Sequence, residues 1–600
     1  MQTKVGTPDM NQTTDAFVSA GNSPVPWLER LIRQHNLYVH GLLGFLALCS
    51  LLAYYLPPLV RTDVYNNDMN EHVAWYHAAK NPALFHDDLM KDYFTSLCPL
   101  GYKAVFSTFC TRLDPRTLGA ALSLLLGIAG VFLAYQVGEA ATSGSAIGGI
   151  TAVLLLLLGH AFGLGPFIKV FQGGLQRAFA LPLFLLGVWA VLRDRMWALG
   201  VALVLAALFF PPVCIVMMVF SAGVTGWAGL KSGRFASLFR KKTLILAGVY
   251  LVCASLLLLT KAVAASHGHW TVYSFKDAVK MPEFHEGGIW EVTCAYPILF
   301  PKWSDYITCG LGIPHPGLLA ATMIFFFWRV RKHRDLIMLL VLSAVGTWGL
   351  AYLVLFNLYE PTRYISYSLQ ALWFLLLPGI VLEVTRSLDP GIKPPLERLN
   401  PMFLRHKTGW AIGFIVLVTG VTVWVTWSRI LHGEGGMKGT ASTEVYQFLQ
   451  TLPETTKIAA DPVDADDIPM RSQRSVLASS KAMWPYHKEF YEQMKARIVA
   501  TWTALYATNC EDILPLKRRY GADVLLVNEV WYHHDSLRAK PFDTILASLH
   551  QQLHGATPLV LRLPREAVLF QSGSFSVVDL NVLDRLNSSP RLAEAPPAGP

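Results

Sequence analysis

The stretch MWALGVALVLAALFFPPVCIVMMVFSAGVTGWAGL, Met196 to Leu230, is too long for one membrane helix and carries Pro211-Pro212 in its middle. A proline inside a helix removes a donor and clashes with the preceding turn, so the run predicts two short spans joined by a tight turn. Flanking charge discriminates between one span and two. With two, the basic segment 231–242 (Lys231, Arg234, Arg240, Lys241, Lys242) falls on the same side as 193–195, 329–335 and 385–407, which hold Arg193, Arg195, Arg329, Arg331, Lys332, Arg334, Arg386, Lys393, Arg398, Arg405 and Lys407. With one, 231–242 falls opposite 193–195, on the outer face. Basic loops collect on the cytoplasmic face, so two spans are expected, with these loops inside.

Working outward, apolar runs of spanning length occur at about 37–60, 116–137, 146–164, 178–192, 243–264, 315–330, 336–356, 363–384 and 409–430, giving about 11 transmembrane helices. Composition agrees: 53% hydrophobic against 15% charged residues is a membrane protein's balance. The formal charge of +9 then resides largely in inner loops and does not indicate nucleic-acid binding. Eight cysteines without a CxxC pair or a Cys/His metal spacing exclude zinc-ribbon and thioredoxin frameworks. Cys98 with Cys110, and Cys294 with Cys309, are outside and able to pair, whereas Cys49, Cys214 and Cys253 lie within spans.

Residues 1–26 read as a polar cytoplasmic tail, 27–431 as the transmembrane domain and 432–585 as an extracytoplasmic α/β domain, with a Pro/Ala-rich tail at 586–600. Strands are expected at Lys457–Ala460, Ser475–Ala478, Asp523–Val527, Leu559–Leu563 and Phe575–Val578, and helices at 441–451, 486–507, 510–520 and 542–552. The fold class is thus a polytopic α-helical membrane protein with a C-terminal extracytoplasmic α/β domain. That domain has no GxGxxG, P-loop, HExxH or GxSxG pattern, so no soluble-enzyme site is expected in it.

Two long outer loops, 61–114 and 265–314, are the places to look for chemistry. The first carries Asn66, Asn67, Asp68, Glu71, His72 and His77, then His86, Asp87, Asp88 and Asp92. Carboxylates beside a span are costly unless they face water, substrate or metal, a solvated acidic loop being the plain alternative. Asp68 and His72 stand at i,i+4 spacing, on one face of a short helix. His160, Lys169, Gln172, Gln176 and Arg177 place further donors on the same side, and Arg363 with Tyr364 adds another, suited either to gripping a phosphate or to anchoring at headgroup level. The second loop offers His267, His269, Trp270, Tyr273, Lys276, Asp277, Glu283, His285 and Glu286, a mixture of aromatic and polar groups suited to a sugar. These residues point to no certain cofactor. A divalent metal on His267 and His269 is the weaker alternative, because HxH lacks a third ligand fixed by spacing.

The acidic first loop, the second long loop between helices seven and eight, and the outer domain after the last helix together resemble the GT-C superfamily of integral-membrane glycosyltransferases. Locally the resemblance rests on Asn67-Asp68 with Glu71-His72, on Gln176-Arg177, and on Glu360-Pro361-Thr362-Arg363-Tyr364. It implies a polyprenyl-phosphate-sugar donor, a glycan, lipid or protein acceptor, membrane lipid as surroundings, and no nucleic acid. By the resemblance the general base falls on Asp68, with Glu71 open as the alternative because the family's adjacent Asp-Glu pair is split here by two residues. Phosphate binding falls on Arg363, with Arg177 and Lys169 behind it. His72, Asp87, Asp88, Gln176, His267, His269, Glu283 and Tyr364 complete the expected substrate site. A single displacement implies inversion at the anomeric carbon. The resemblance also implies a bacterial inner membrane with an extracytoplasmic site, and a C-terminal domain without activity of its own. A non-catalytic polysaccharide assembly or sensor protein and a transporter or flippase remain the alternatives.

Overall fold

The computed structural model describes residues 29, 32–33, 36–60, 65–161, 174–231, 241–268, 271–278, 280–284, 333–354, 357–358, 360–387, 424, 437–438, 443–532, 543–553 and 555–588. The apolar helices make this an integral membrane protein. Among the described residues, five helices are long and apolar enough to cross a membrane, and four shorter apolar helices accompany them.

The chain begins with α1 (Asn36–Val60) and then pairs β1 (Tyr65–Asn66) antiparallel with β2 (Met437–Lys438), tying the start of the first long loop to the entry of the C-terminal region. The loop is built from α2 (Met69–His72), a 3-10 turn at Ala74–Ala79, α3 (Leu89–Leu97) and α4 (Leu100–Phe109). Asp114 caps α5 (Pro115–Ala141), accepting from the Arg116 amide at 2.9 Å, with Pro115 in the first turn where its missing donor is harmless. Against α5 lies α6 (Ala146–Ala161). A Cβ on Gly138 would stand 2.3 Å from the Gly148 carbonyl oxygen, so the two backbones meet through glycine.

After α7 (Ala180–Leu192), the Met196–Leu230 stretch forms α8 (Met196–Phe209) and α9 (Pro211–Lys231). Phe210 leaves helical geometry at φ −150 and ψ 81, and the two prolines open α9. Then come α10 (Lys241–Ser266), α11 (Arg334–Leu353), the single turn α12 (Thr362–Ser366) and α13 (Gln370–Ser387). The expected spans 315–330 and 409–430 lie outside the described residues, as do Cys294 and Cys309.

The C-terminal region centres on a five-stranded sheet in the order β4-β3-β5-β7-β6. Its elements run α14 (Thr443–Thr451), β3 (Lys457–Ala460), α15 (Pro462–Ala465), α16 (Ile468–Arg471), β4 (Ser475–Val476), α17 (Lys488–Leu505), α18 (Pro515–Arg518), β5 (Val524–Asn528), α19 (Asp543–Gln552), β6 (Val568–Ser572), β7 (Phe575–Asp579) and α20 (Leu580–Asn587). Strands β4, β3 and β5 are parallel, and the β6–β7 hairpin closes the sheet antiparallel to β5. All five residues of β5 are buried, as a central strand covered on both faces requires.

Three expectations need correction. Leu559–Leu563 is not a strand: Leu559–Leu561 is a 3-10 turn, and the fifth strand is instead β6. The expected helix at 510–520 is a 3-10 turn, Cys510–Asp512, followed by the short α18. Cys98 and Cys110 do not pair; both are free and buried. They flank the ten-residue helix α4, and at 1.5 Å rise per residue its length, about 15 Å, far exceeds the reach of a disulfide.

Candidate active site

The site is assembled from the first long loop upward. The Asn66 side-chain oxygen accepts the Asp68 amide at 2.9 Å, turning the chain into α2, and the Trp75 indole closes it by donating to the Glu71 carbonyl at 2.7 Å. This turn presents Asp68, Glu71 and His72 to one cavity of about 290 Å³. Arg177, in a 3-10 turn (Gln176–Phe179) leading into α7, donates to Asp68. From α12, Arg363 enters the same cavity, held by Glu360 Oε2 at 2.8 Å and the Tyr367 hydroxyl at 2.9 Å. Five of the expected residues, Asp68, Glu71, His72, Arg177 and Arg363, are thus brought together from three separate segments.

A further charged group arrives from the C-terminal region. Lys481 Nζ stands 3.2 Å from Asp68 Oδ1 and 3.6 Å from Glu71 Oε1. Residues 68 and 481 are 413 positions apart, and no spacing in the sequence signals their meeting. The C-terminal region, expected to have no activity of its own, thus supplies a side chain to this cavity. Trp484, a few residues on, lines the same cavity.

The two carboxyls differ sharply in electrostatics. Burial opposes ionisation of Asp68, but Arg177 and Lys481 outweigh it and hold its carboxyl far below the usual range. Glu71 is pushed up to about 8, first by burial and then by the negative charge of Asp68. His72 is driven down to about 3, chiefly by burial. At neutral pH Glu71 therefore holds a proton and His72 is neutral, so their 3.7 Å approach is not an ion pair, and the Lys481–Glu71 approach is not a full one. Three cations, Arg177, Arg363 and Lys481, then face two ionised carboxylates, Asp68 and the Arg363-paired Glu360, leaving the cavity net positive.

His72 and Trp484 also line a second cavity of about 350 Å³. Its wall is mostly apolar, with Phe94, Leu97, Phe210, Ile215, Leu257 and Leu258, and Tyr364 joins it with its hydroxyl tied to the Leu358 carbonyl at 2.6 Å. Gln176 lines this groove and donates to Cys98 Sγ at 3.2 Å. A cationic chamber and an apolar groove thus share one wall.

The remaining expected residues lie elsewhere. Asp88 caps α3, its Oδ1 accepting from the Met90 and Lys91 amides at 2.9 and 3.1 Å, so its burial serves a helix end. Asp87 is exposed and pairs with His86 at 3.0 Å. His267 is exposed after α10. Glu283 accepts from the Tyr491 hydroxyl at 2.5 Å and lies 3.5 Å from Lys495, fastening the second long loop to α17. Tyr273 does the same through Glu492 at 2.7 Å. None of Asp87, Asp88, His267, Tyr273 and Glu283 lines either cavity. Lys169 and His269 lie outside the described residues. Among the described residues, no three His, Cys, Asp or Glu side chains gather where they would hold a metal ion.

No protein-family model and no curated protein matches the chain. Among solved structures, the chain is similar to the Archaeoglobus fulgidus oligosaccharyltransferase tethered with an acceptor peptide, at 12% identity and TM-score 0.45, over 83% of this chain and 70% of that one. The apo form of the same enzyme gives 12% identity and TM-score 0.46, over the same shares. ArnT from Cupriavidus metallidurans bound to undecaprenyl phosphate gives 13% identity and TM-score 0.44, over 90% of this chain and 98% of that one. These are likenesses of overall chain path, and the site stands on its own geometry.

Proposed function

We propose that this protein is a membrane glycosyltransferase that takes a sugar from a polyprenyl-phosphate-linked donor and passes it to an acceptor hydroxyl or amide outside the cytoplasm. The observation that carries this reading is the junction of the net-positive chamber with the apolar groove at His72 and Trp484. An amphiphile with an anionic head and a long apolar tail fits such a pair, the tail in the groove and the phosphate against Arg363, Arg177 and Lys481. The donor enters laterally from the bilayer, and fixed cations stabilise the phosphate as it leaves.

In this reading the two carboxyls divide the work. Asp68, held far below the usual range by its cations, is a poor proton acceptor but a strong fixed charge that orients Arg177 and Lys481. Glu71, at about 8, lies near the working pH, where a general base is most effective, and is the better proton acceptor. The base first placed on Asp68 thus moves to its alternative. Attack by the acceptor forms the new glycosidic bond as the sugar–phosphate bond breaks, the acceptor proton passes to Glu71 in the fraction of chains where that carboxyl has already released its own proton, and the electron pair leaves on the phosphate oxygen. Inversion follows from this single displacement.

The test is binding of a polyprenyl monophosphate to the purified full chain in detergent. Tight binding that a short-chain alkyl phosphate fails to match, and that weakens in Arg363→Ala, is expected. Equal binding of the two phosphates, or no effect of Arg363→Ala, would overturn the reading.

A further inference from the structure

Two consecutive acidic residues, Asp466 and Asp467, lie behind Lys481, and each grips a different half of the site. Asp466 accepts from the Ser479 and Ser480 hydroxyls, each at 2.6 Å, and from the Lys481 amide at 3.1 Å. Asp467 accepts, on one oxygen, from the Tyr65 hydroxyl at 2.9 Å and from Asn70 Nδ2 at 2.7 Å. Tyr65 and Asn70 bracket Asp68. The Arg471 guanidinium, from α16, lies over the Tyr65 ring at 4.8 Å. Both aspartates are buried.

The topology explains why they stand there. Strands β3 and β4 are parallel neighbours, so the loops leaving their carboxyl ends emerge on the same edge of the sheet, the edge where open α/β sheets place ligand-contacting residues. The loop after β3 carries Asp466 and Asp467, and the loop after β4 carries Lys481. That edge is docked on the first long loop, where Tyr93 stacks on Phe490 at 3.5 Å and bonds His487 at 2.9 Å.

We propose that Asp466 and Asp467 are paired positioning residues, one fixing the Lys481 turn and the other the Tyr65–Asn70 segment, so that Lys481 meets Asp68 and Glu71 in one geometry. Their importance for sugar transfer rests on the function proposed above, but the clamp itself is measurable without any substrate. Lys481 is held as an ammonium against Asp68, which slows its acylation, and a lysine released from that pairing acylates faster.

The experiment is acetylation of the full chain in detergent by an N-hydroxysuccinimide ester, with the rate at each lysine read by mass spectrometry and Lys457 and Lys517 as internal references. Asp466→Ala is expected to accelerate Lys481 by about tenfold or more, the weight of one lost hydrogen bond to a charged group, with the references unchanged. Asp467→Ala is expected to act in the same direction. Asp466→Asn keeps an acceptor toward Ser479 and the Lys481 amide and is expected to stay near wild type. If Asp466→Ala does not fold, Ser479→Ala with Ser480→Ala removes the same two bonds and reads the same way. An unchanged Lys481 rate in Asp466→Ala or in the double serine variant, or a rate in Asp466→Asn as high as in Asp466→Ala, would overturn the clamp. Acceleration of Lys481 in the Asp466→Ala variant, with a wild-type chain that transfers no sugar, would leave the clamp standing and remove the transferase reading.

Discussion

Replacing Glu71 by Gln should make the protein more stable and less active at once. The Glu71 carboxyl is carried from its ordinary 4.5 to about 8 by burial and by the charge of Asp68. Between those values the unfolded chain releases the proton while the folded chain keeps it, so stability falls as pH rises from about 4.5 to about 8 and is level beyond. At 1.36 kcal/mol per pH unit the accumulated cost has a ceiling of about 5 kcal/mol, lowered in practice by relaxation and water entry. Gln resembles the protonated side chain in shape and has no proton to lose, so the variant escapes that cost. Thermal unfolding in detergent across pH 4.5 to 8.5 measures it, with Glu71→Gln expected to melt above wild type at pH 8 and to converge with it near 4.5. Equal melting at pH 8, or a gap that does not change with pH, would refute the assignment of Glu71 as a buried neutral acid. Loss of transfer in the same stabilised variant is expected, because a functional group held in an unfavourable environment trades stability for activity.

Asp68→Asn leaves Arg177 and Lys481 facing each other without their shared carboxylate and lets Glu71 return toward its ordinary range. The expected outcome is a lower melting temperature at neutral pH, with the acidic limb of the pH–rate profile, set by ionisation of Glu71, moving below about 8. Arg363→Lys keeps the charge but loses the two-pronged hold on Glu360 and Tyr367, so polyprenyl phosphate should bind more weakly while the protein still inserts, as a titration in detergent would show. Lys481→Met removes a cation from the chamber but leaves its volume, and weaker phosphate binding with unchanged tail dependence is expected from the same titration. A cysteine introduced at Leu238, in the basic segment between α9 and α10, should resist an impermeant thiol reagent in intact cells, and its modification would contradict the inward placement of that loop.

Among the described residues the apolar helices were legible because lipid leaves little ambiguity: a long apolar run has few fates, and the Pro211-Pro212 break is enforced by a missing donor. Within the site, Asp68, Glu71, Arg177 and Arg363 were legible as costly charges beside spans. Lys481 was not, because its role arises only when the carboxyl edge of the sheet docks on the first long loop, and nothing in Ser480-Lys481-Ala482 distinguishes it from a surface lysine. Asp88 misled in the opposite direction. Its acidic character was read as chemistry, although an Asp directly before the amphipathic run Leu89–Leu97 is also the signal for a helix cap, and the structure uses it as one. The run Leu559–Leu563 was apolar enough for a strand, but Pro558 and Pro564 bracket it and leave room for only a tight turn.

The most direct test is the polyprenyl-linked sugar pool of cells lacking the gene, read by mass spectrometry of lipid extracts. A polyprenyl-phosphate sugar is expected to accumulate, to return to its normal level when the wild-type chain is restored, and to stay high when Glu71→Gln is supplied instead, since general-base catalysis contributes about 10²–10⁴-fold. A pool unchanged by the deletion, or one that Glu71→Gln restores as well as wild type, would contradict the account.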